Sequence, residues 1–479
     1  IRVFVFAAAF PFFNNVDEQA HVDLVVKYSH GQVPRGIETF ASEAALYVVV
    51  YSTPEYLLLP NQLVGEYRAP AWTFPPEELR NMINSEVPAW EVIINYESGE
   101  PPLYYALAGG WMNLGRAFGL RGLTLLYWIR FLNIPFAIVL VWLGYKAGRI
   151  LFPEQQFAGV TVATLLAVWP QTSFYSIQSD SLSPITFGIA FVGLMKLSRA
   201  KRPNICIAAW IGLSVAASCL VKTANLPLVF ISAAAVIFKS VQLTRTGTWQ
   251  RGLSIFAVFA ISCALPLGIW FAWNLNHFGD LTATASKIRL LQWTRKPFGE
   301  WWSHELFTWQ GLLEFWPDLI KSFWRGEFIW YTKRLASPFV DAIYVIITTV
   351  VVLATVWLLL RRRVKLGHQR FIIWFALLSF LSLVVFLAML SISFDFGNCP
   401  YPSRDYPFLT SGRFLNATLI PFLLLFVVAI DRAGNCIKRT WARWALLTAT
   451  ALFLIVSQAQ VNAPAFASRY NFFHRPTTQ

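Results

Sequence analysis

Long apolar runs dominate the chain, and short polar or charged connections separate them. Runs of this length fit membrane-spanning helices better than the amphipathic helices of a soluble core. The pattern predicts spans at 1–13, 123–145, 156–175, 181–198, 204–220, 223–240, 252–273, 338–360, 370–393, 413–430 and 443–460, about eleven in all. The first is too short to cross a bilayer and reads as a truncated helix. Every second connection is basic: Lys146 and Arg149; Lys196, Arg199, Lys201 and Arg202; Lys239, Arg245 and Arg251; Arg361, Arg362, Arg363 and Lys365; Arg432, Lys438 and Arg439. Such alternation assigns these connections to the cytoplasm.

The opposite side then carries two long segments. The external loop 14–122 is rich in Asp and Glu and holds short amphipathic pieces. Its stretch 106–120 is apolar, but as a span it would turn every later basic cluster outward. It is therefore expected to lie in the membrane interface or to re-enter. The external aromatic loop 274–337 alternates Trp293, Trp301, Trp302, Trp309, Trp316, Trp324 and Trp330 with charges. That suits helices resting on a membrane surface, the alternative being the aromatic core of a small soluble subdomain. The expected organisation is one transmembrane domain, 1–460, and an external C-terminal tail, 461–479.

Composition agrees. Of 479 residues, 56% are hydrophobic and only 13% charged, about half the charge of a soluble domain. The 21 tryptophans suit rings at headgroup level. A net charge of +14 would invite a nucleic-acid reading, but the basic residues fall in short clusters between apolar runs, so no nucleic-acid partner is expected. Cys206, Cys219, Cys263, Cys399 and Cys436 have no metal-binding or disulfide spacing.

With the topology fixed, the ionisable residues near span ends fall on one side. Asp17, Glu18 and His21 follow the first span, and Arg130 lies in the outer half of the second. Asp180 sits at the turn between the third and fourth predicted spans, Lys222 at the fifth-to-sixth turn, and Arg413 at the outer start of the tenth span. Acids facing cations on one membrane face suit a reaction with a base and an anionic leaving group. Each has a plainer reading: loop acids for Asp17 and Glu18, a hydrogen-bonded structural imidazole for His21, a snorkelling side chain for Arg130. Asp180 could cap a helix within Ser179-Asp180-Ser181, and Lys222 and Arg413 could be interfacial anchors.

The motifs resemble the GT-C class of membrane glycosyltransferases, which take a sugar from a polyprenyl-phosphate carrier. Residues 10–21, ending Asp17-Glu18-Gln19-Ala20-His21, resemble the Asp-Glu-x-x-His stretch after the first span in one branch of bacterial members. Pro101-Pro102-Leu103-Tyr104-Tyr105 resembles the end of that branch's first external loop. Arg130-Phe131-Leu132-Asn133, Gln178-Ser179-Asp180-Ser181-Leu182, Leu220-Val221-Lys222 and Ser411-Gly412-Arg413-Phe414-Leu415 resemble later motifs in the same order. Phe414 departs from the pattern, where Tyr is common, and 398–407 has no counterpart.

The resemblance implies an all-α integral membrane, GT-C-like polytopic bundle with amphipathic helices in its first external loop. It implies Asp17 as catalytic base or acceptor-orienting acid, with Glu18 in support. Arg130, Lys222 and Arg413 would bind the donor's lipid phosphate, with His21, Asp180 and Tyr104 supporting. Asp17, Glu18 and His21 would be the ligands where a divalent cation (Mg or Mn) is used. The implied protein is a multi-pass glycosyltransferase of the cytoplasmic (inner) membrane, with its active site facing the periplasm or exterior. It would use a polyprenyl-phosphate-linked sugar and a glycan, lipid or protein acceptor. Two alternatives stay open: a catalytically silent subunit docking membrane-complex partners through its aromatic loops, or a transporter or flippase. The scarcity of mid-span charges counts against the last.

Overall fold

The computed structural model describes residues 1–56, 58–59, 69–361, 367–436 and 440–474. Helix α1 (Arg2–Ala9) leads into a layer of helices off the main bundle: α2 (Glu18–Ser29), α3 (Ser42–Tyr51), α4 (Pro76–Glu91) and α5 (Pro102–Ala117). The bundle continues with α6 (Gly122–Arg130), α7 (Asn133–Leu151), α8 (Gln156–Ala167), α9 (Ser183–Arg199), α10 (Ile205–Val221), α11 (Pro227–Arg245) and α12 (Trp249–Phe278). A second excursion carries α13 (Thr284–Leu290) and α14 (Trp309–Arg325). Helices α15 (Pro338–Leu360), α16 (His368–Ser393), α17 (Leu419–Cys436) and α18 (Thr440–Val461) complete the bundle, followed by α19 (Ala463–Ala467).

Among the described residues, eight helical stretches are long and apolar enough to cross a membrane: Gly122–Leu151, Ser179–Arg199, Thr223–Arg245, Trp249–Phe278, Pro338–Leu360, Gln369–Ser393, Gly412–Gly434 and Trp441–Val461. Each meets one of the predicted spans. The other three predictions correspond to shorter helices, α1, α8 and α10. Helix α8 stops at Ala167 because Pro170 lacks an N–H and pushes Trp169 out of the helical region. Turns at Thr172–Tyr175 and Ser179–Ser181 then carry the chain to α9. These irregular turns are buried inside protein, where non-helical backbone at membrane depth can be satisfied. Of the basic clusters, Arg362, Arg363, Lys365, Lys438 and Arg439 lie outside the described residues.

Helix α17 is the hub: 89% of its apolar window is buried, against 28% for α12 and 22% for α18 at the periphery. Small residues let helices approach; a Cβ on Gly212 of α10 would sit 2.5 Å from the Phe259 carbonyl oxygen of α12. The α5 segment presents Leu107, Leu114 and Phe118 outward while Tyr105, Ala108 and Met112 are buried. One face on protein and one exposed apolar face is the pattern of an interfacial helix. The aromatic segment divides in the same way. Trp324 is buried and stacks on Tyr344, with ring centroids 4.8 Å apart, whereas Trp302 and Trp309 are exposed.

Candidate functional site

Helix ends from both halves of the chain converge at one end of the bundle. The first pair is Asp17 and Arg413. Asp17 precedes α2 in a left-handed conformation, φ 68°, which Asp tolerates better than most residues. Its Oδ2 accepts from Arg413 Nη2 and its Oδ1 accepts from the Tyr96 hydroxyl at 2.5 Å. Arg413 also donates to the Val16 carbonyl (3.1 Å), Ser411 Oγ (3.2 Å) and Gln178 Oε1 (3.4 Å), and pairs with Glu327 at 3.4 Å. Gly412, before it, packs against the Phe323 backbone with no room for a Cβ. Burial opposes ionisation of Asp17, but the charges of Arg413 and Lys287 and the bonds from Arg413 and Tyr96 hold its carboxyl well below the usual range.

Glu18 and Arg130 form the second pair, at 2.7 Å. Glu18 also accepts from the Phe13 and Ile177 backbone N–H groups, both at 2.9 Å. Arg130 donates to the carbonyls of Ala7 (3.1 Å), Phe10 (2.5 Å) and Pro11 (3.3 Å) and lies 3.8 Å from the centre of the Phe12 ring. The guanidinium expected to face a lipid phosphate instead satisfies carbonyls at the end of α1, groups that helix geometry leaves unpaired.

Asp180 and Lys222 meet at 2.8 Å, with the ammonium 4.9 Å from the centre of the Phe414 ring. Asp180 therefore pairs with a cation, and α9 has no side-chain cap. His21 Nδ1 bonds the Tyr105 hydroxyl at 2.6 Å; Tyr104 is buried and packs edge-on against Tyr105, centroids 5.4 Å apart. Burial dominates the environment of His21 and lowers its pKa to about 4 despite nearby Glu97, so the ring is neutral at pH 7. Its Nε2 is buried without a hydrogen-bond partner among the described residues, as is Asp180 Oδ1.

The pairs differ in access. Glu18 and Arg130 side chains are 0% and 1% exposed, Asp180 and Lys222 0% and 6%, but Asp17 and Arg413 13% and 10%. The Asp17–Arg413 pair is the open one.

Several members were not singled out from sequence. Both carboxylate oxygens of Glu97 accept from Lys287 Nζ of α13, each at 2.7 Å. Glu327 accepts from Arg334 at 2.8 Å and from Ser411 Oγ at 2.6 Å. Glu100 is half-buried; its side chain hydrogen-bonds the Glu97 carboxyl, and its Oε2 is sealed from solvent. Burial, reinforced by the adjacent Glu97, raises its pKa to about 7. The acid-rich composition of the first loop hinted at Glu97 and Glu100, whereas Lys287 and Glu327 lie in the second external segment, and Lys287 meets Glu97 across 190 positions.

The metal expectation is corrected. Glu18 points to Arg130 and backbone N–H groups, His21 Nδ1 to Tyr105, and Asp17 to Arg413 and Tyr96. Among the described residues no group of three His, Cys, Asp or Glu could hold a metal ion, so Asp17, Glu18 and His21 do not fit a divalent-cation site.

Comparison with known proteins gives a family and a remote structural likeness. No curated protein matches the chain. The oligosaccharyltransferase of Archaeoglobus fulgidus in its apo form aligns with TM-score 0.43 at 11% identity, covering 79% of this chain and 49% of that one. The same enzyme in complex with Zn and sulfate gives 0.39 at 12% identity, covering 76% and 44%. The archaeal oligosaccharyltransferase AglB from Archaeoglobus fulgidus, with an inhibitory peptide and a dolichol-phosphate, gives 0.37 at 11%, covering 77% and 48%. The chain spans about half the length of these structures. Residues 1–396 match the family described as "Predicted membrane protein (DUF2142)", and the chain belongs to that family.

Proposed function

We propose that this chain is a membrane glycosyltransferase that moves a sugar from a polyprenyl-phosphate donor to an acceptor on the non-cytoplasmic face of the membrane. The observation that carries the reading is the partly open Asp17–Arg413 pair, with Lys222, Asp180 and His21, whose Nε2 is unpartnered among the described residues, grouped beside it at one end of an apolar bundle. Donor and acceptor chemistry comes from the motif resemblance, and the GT-C architecture is part of this proposal. The alternating basic connections support an outward-facing site in the cytoplasmic membrane.

In this reading Arg413 and Lys222 bind the phosphate, whose charge grows as the glycosyl C–O bond breaks. Asp17 orients the acceptor and Asp180 holds Lys222 in place. Glu18 and Arg130 are positioning residues: they fix the end of α1, and with it the backbone that presents Asp17. Tyr104 and Tyr105 wall the site, and Tyr105 fixes the His21 ring.

The test is transfer from a panel of short-chain polyprenyl-phosphate monosaccharides by the full chain in lipid nanodiscs. Asp17→Asn should lose transfer while its unfolding temperature stays close to wild type; full activity in that variant rejects the assignment. A second reading, a catalytically silent subunit, draws support from the internal pairing of Asp17, Glu18 and Asp180. Co-purification at fixed stoichiometry with other membrane chains, and no retention of polyprenyl phosphate, would favour it.

A further inference from the structure

Helices α3, α4, α5 and α6 border an open cavity of about 550 Å³. Leu46 and Val50 of α3, Leu79 and Ile83 of α4, and Leu120 and Leu125 beside the α5–α6 turn make its walls apolar. Small-molecule sites have this form: roughly 300–1,000 Å³, mostly apolar, with a few placed polar groups. The charged groups here are Glu43, Arg116 and Arg121. Glu43 is already committed: both its oxygens accept from Arg116 Nη2 at 2.7 Å, Oε1 accepts from the Tyr47 hydroxyl at 2.7 Å, and Oε2 lies 3.0 Å from His30 Nε2. Arg116 also donates to Ser29 Oγ and Asn113 Oδ1, both at 2.9 Å. Arg121 differs. It is exposed at the cavity rim, and its side chain makes no hydrogen bond or ion pair among the described residues.

The place of Arg121 along the chain sets its depth. It stands immediately before Gly122–Leu151, a stretch long and apolar enough to cross a membrane, and the residue that opens a span lies at headgroup level. Tryptophans brace this corner, as they do at membrane interfaces. Trp111 of α5 and Trp128 of α6 stack with centroids 4.3 Å apart, and each indole N–H donates to the other's backbone carbonyl at 2.8 Å. Leu114 and Phe118, at the end of α5, are exposed, so apolar surface adjoins the rim. Gly122 closes the cavity against α3, where a Cβ would lie 2.7 Å from the Tyr51 hydroxyl.

We propose that an anionic phospholipid of the surrounding bilayer binds in this cavity, with its phosphate on Arg121 and one acyl chain between α3, α4 and the α5–α6 turn. The planar donors of a guanidinium match the oxygens of a phosphate, and the apolar walls take the chain. The lining also selects the headgroup. A zwitterionic lipid brings a cation of its own, and the lining carboxylate, Glu43, is held by Arg116. The bound lipid pins α3 and α4 to the start of the first long span. It acts apart from Asp17: Arg116 bonds Ser29 at the far end of α2, and the 12 residues of that helix separate its ends by about 18 Å. The lipid site therefore stands whether or not the chain transfers a sugar.

The experiment is native mass spectrometry of the full chain in detergent, titrated with palmitoyl-oleoyl phosphatidylglycerol or phosphatidylcholine, alongside unfolding temperatures in nanodiscs of each lipid. Wild type should bind a first phosphatidylglycerol more tightly than later ones and more tightly than phosphatidylcholine, and should unfold at a higher temperature in phosphatidylglycerol. Arg121→Gln should weaken that first binding by about tenfold or more, and Arg121→Lys by less. Leu79→Trp, which fills the cavity and leaves Arg121 in place, should abolish it. Arg202→Gln, which removes an exposed cation from another connection, should bind as wild type does. Equal binding of the two lipids, or equal loss in Arg121→Gln and Arg202→Gln, overturns the site in favour of unspecific charge attraction. Undiminished binding by a folded Leu79→Trp protein overturns the cavity as its seat.

Discussion

The guanidinium of Arg130 meets the carboxylate of Glu18 at 2.7 Å in a fully enclosed setting and also binds the carbonyls of Ala7, Phe10 and Pro11. One cation thereby closes the end of α1, neutralises a buried acid and ties residues 7–18 to the junction of α6 and α7. Removing one partner of such a pair leaves an uncompensated buried charge. Arg130→Ala should therefore destabilise the fold by about 3–5 kcal/mol, read as a lower unfolding temperature in detergent. A normal unfolding temperature combined with lost donor binding would make Arg130 a ligand group instead.

Arg413 presents the opposite case, being partly open and bonded to several acceptors. Arg413→Lys keeps the charge but not the planar fork that reaches Asp17, Glu327 and Gln178 together. Transfer should fall by about 10²-fold or more, with retention of the protein in the membrane unchanged. An Arg413→Lys protein as active as wild type would show that a point charge is sufficient there.

The environment of Glu100 makes a stability prediction independent of activity. Its pKa rises from 4.5 to about 7 on folding, so the folded chain binds more protons between those values. Its contribution to stability is complete below about pH 4.5 and lost as pH rises through about 7. The Glu100→Gln protein should unfold at the wild-type temperature in acid and at a higher one at pH 8. A gap that does not widen with pH would refute this environment.

His21 runs the other way. Its pKa falls from 6.5 to about 4 on folding, so its contribution is present above 6.5 and lost as pH falls through about 4. Nitrogen NMR of labelled histidine should find this ring neutral at pH 5. An imidazolium signal assigned to His21 at that pH would contradict the burial of this ring.

Metal removal should have no effect, because Asp17, Glu18 and His21 direct their polar atoms to separate protein partners. Chelation of divalent cations should leave transfer and unfolding temperature unchanged. Activity lost on chelation and restored by Mg or Mn would require a site built from other residues.

The eight long helices were legible because apolar runs announce themselves one residue at a time. Helix α8 was overextended, since apolar Leu165, Leu166, Val168 and Trp169 hide the break that Pro170 imposes. Asp17, Asp180, Lys222 and Arg413 could be grouped in advance because charge at the end of an apolar run is conspicuous. Glu97, Glu100, Lys287 and Glu327 could not, because acids and lysines in a polar segment look alike.

The sequence by itself thus determined an all-helical membrane chain with ionisable residues gathered at one end. Hydropathy and charge alternation are local properties, written along the chain. Tertiary structure alone decided which charge meets which. Arg130 goes to Glu18 and the end of α1, Arg413 to Asp17 across 396 positions, and Lys287 to Glu97 across 190. Among the described residues, that allocation leaves Glu100 without a cation. The physical reason is that the strength of an ion pair depends on separation and burial in space, which packing sets.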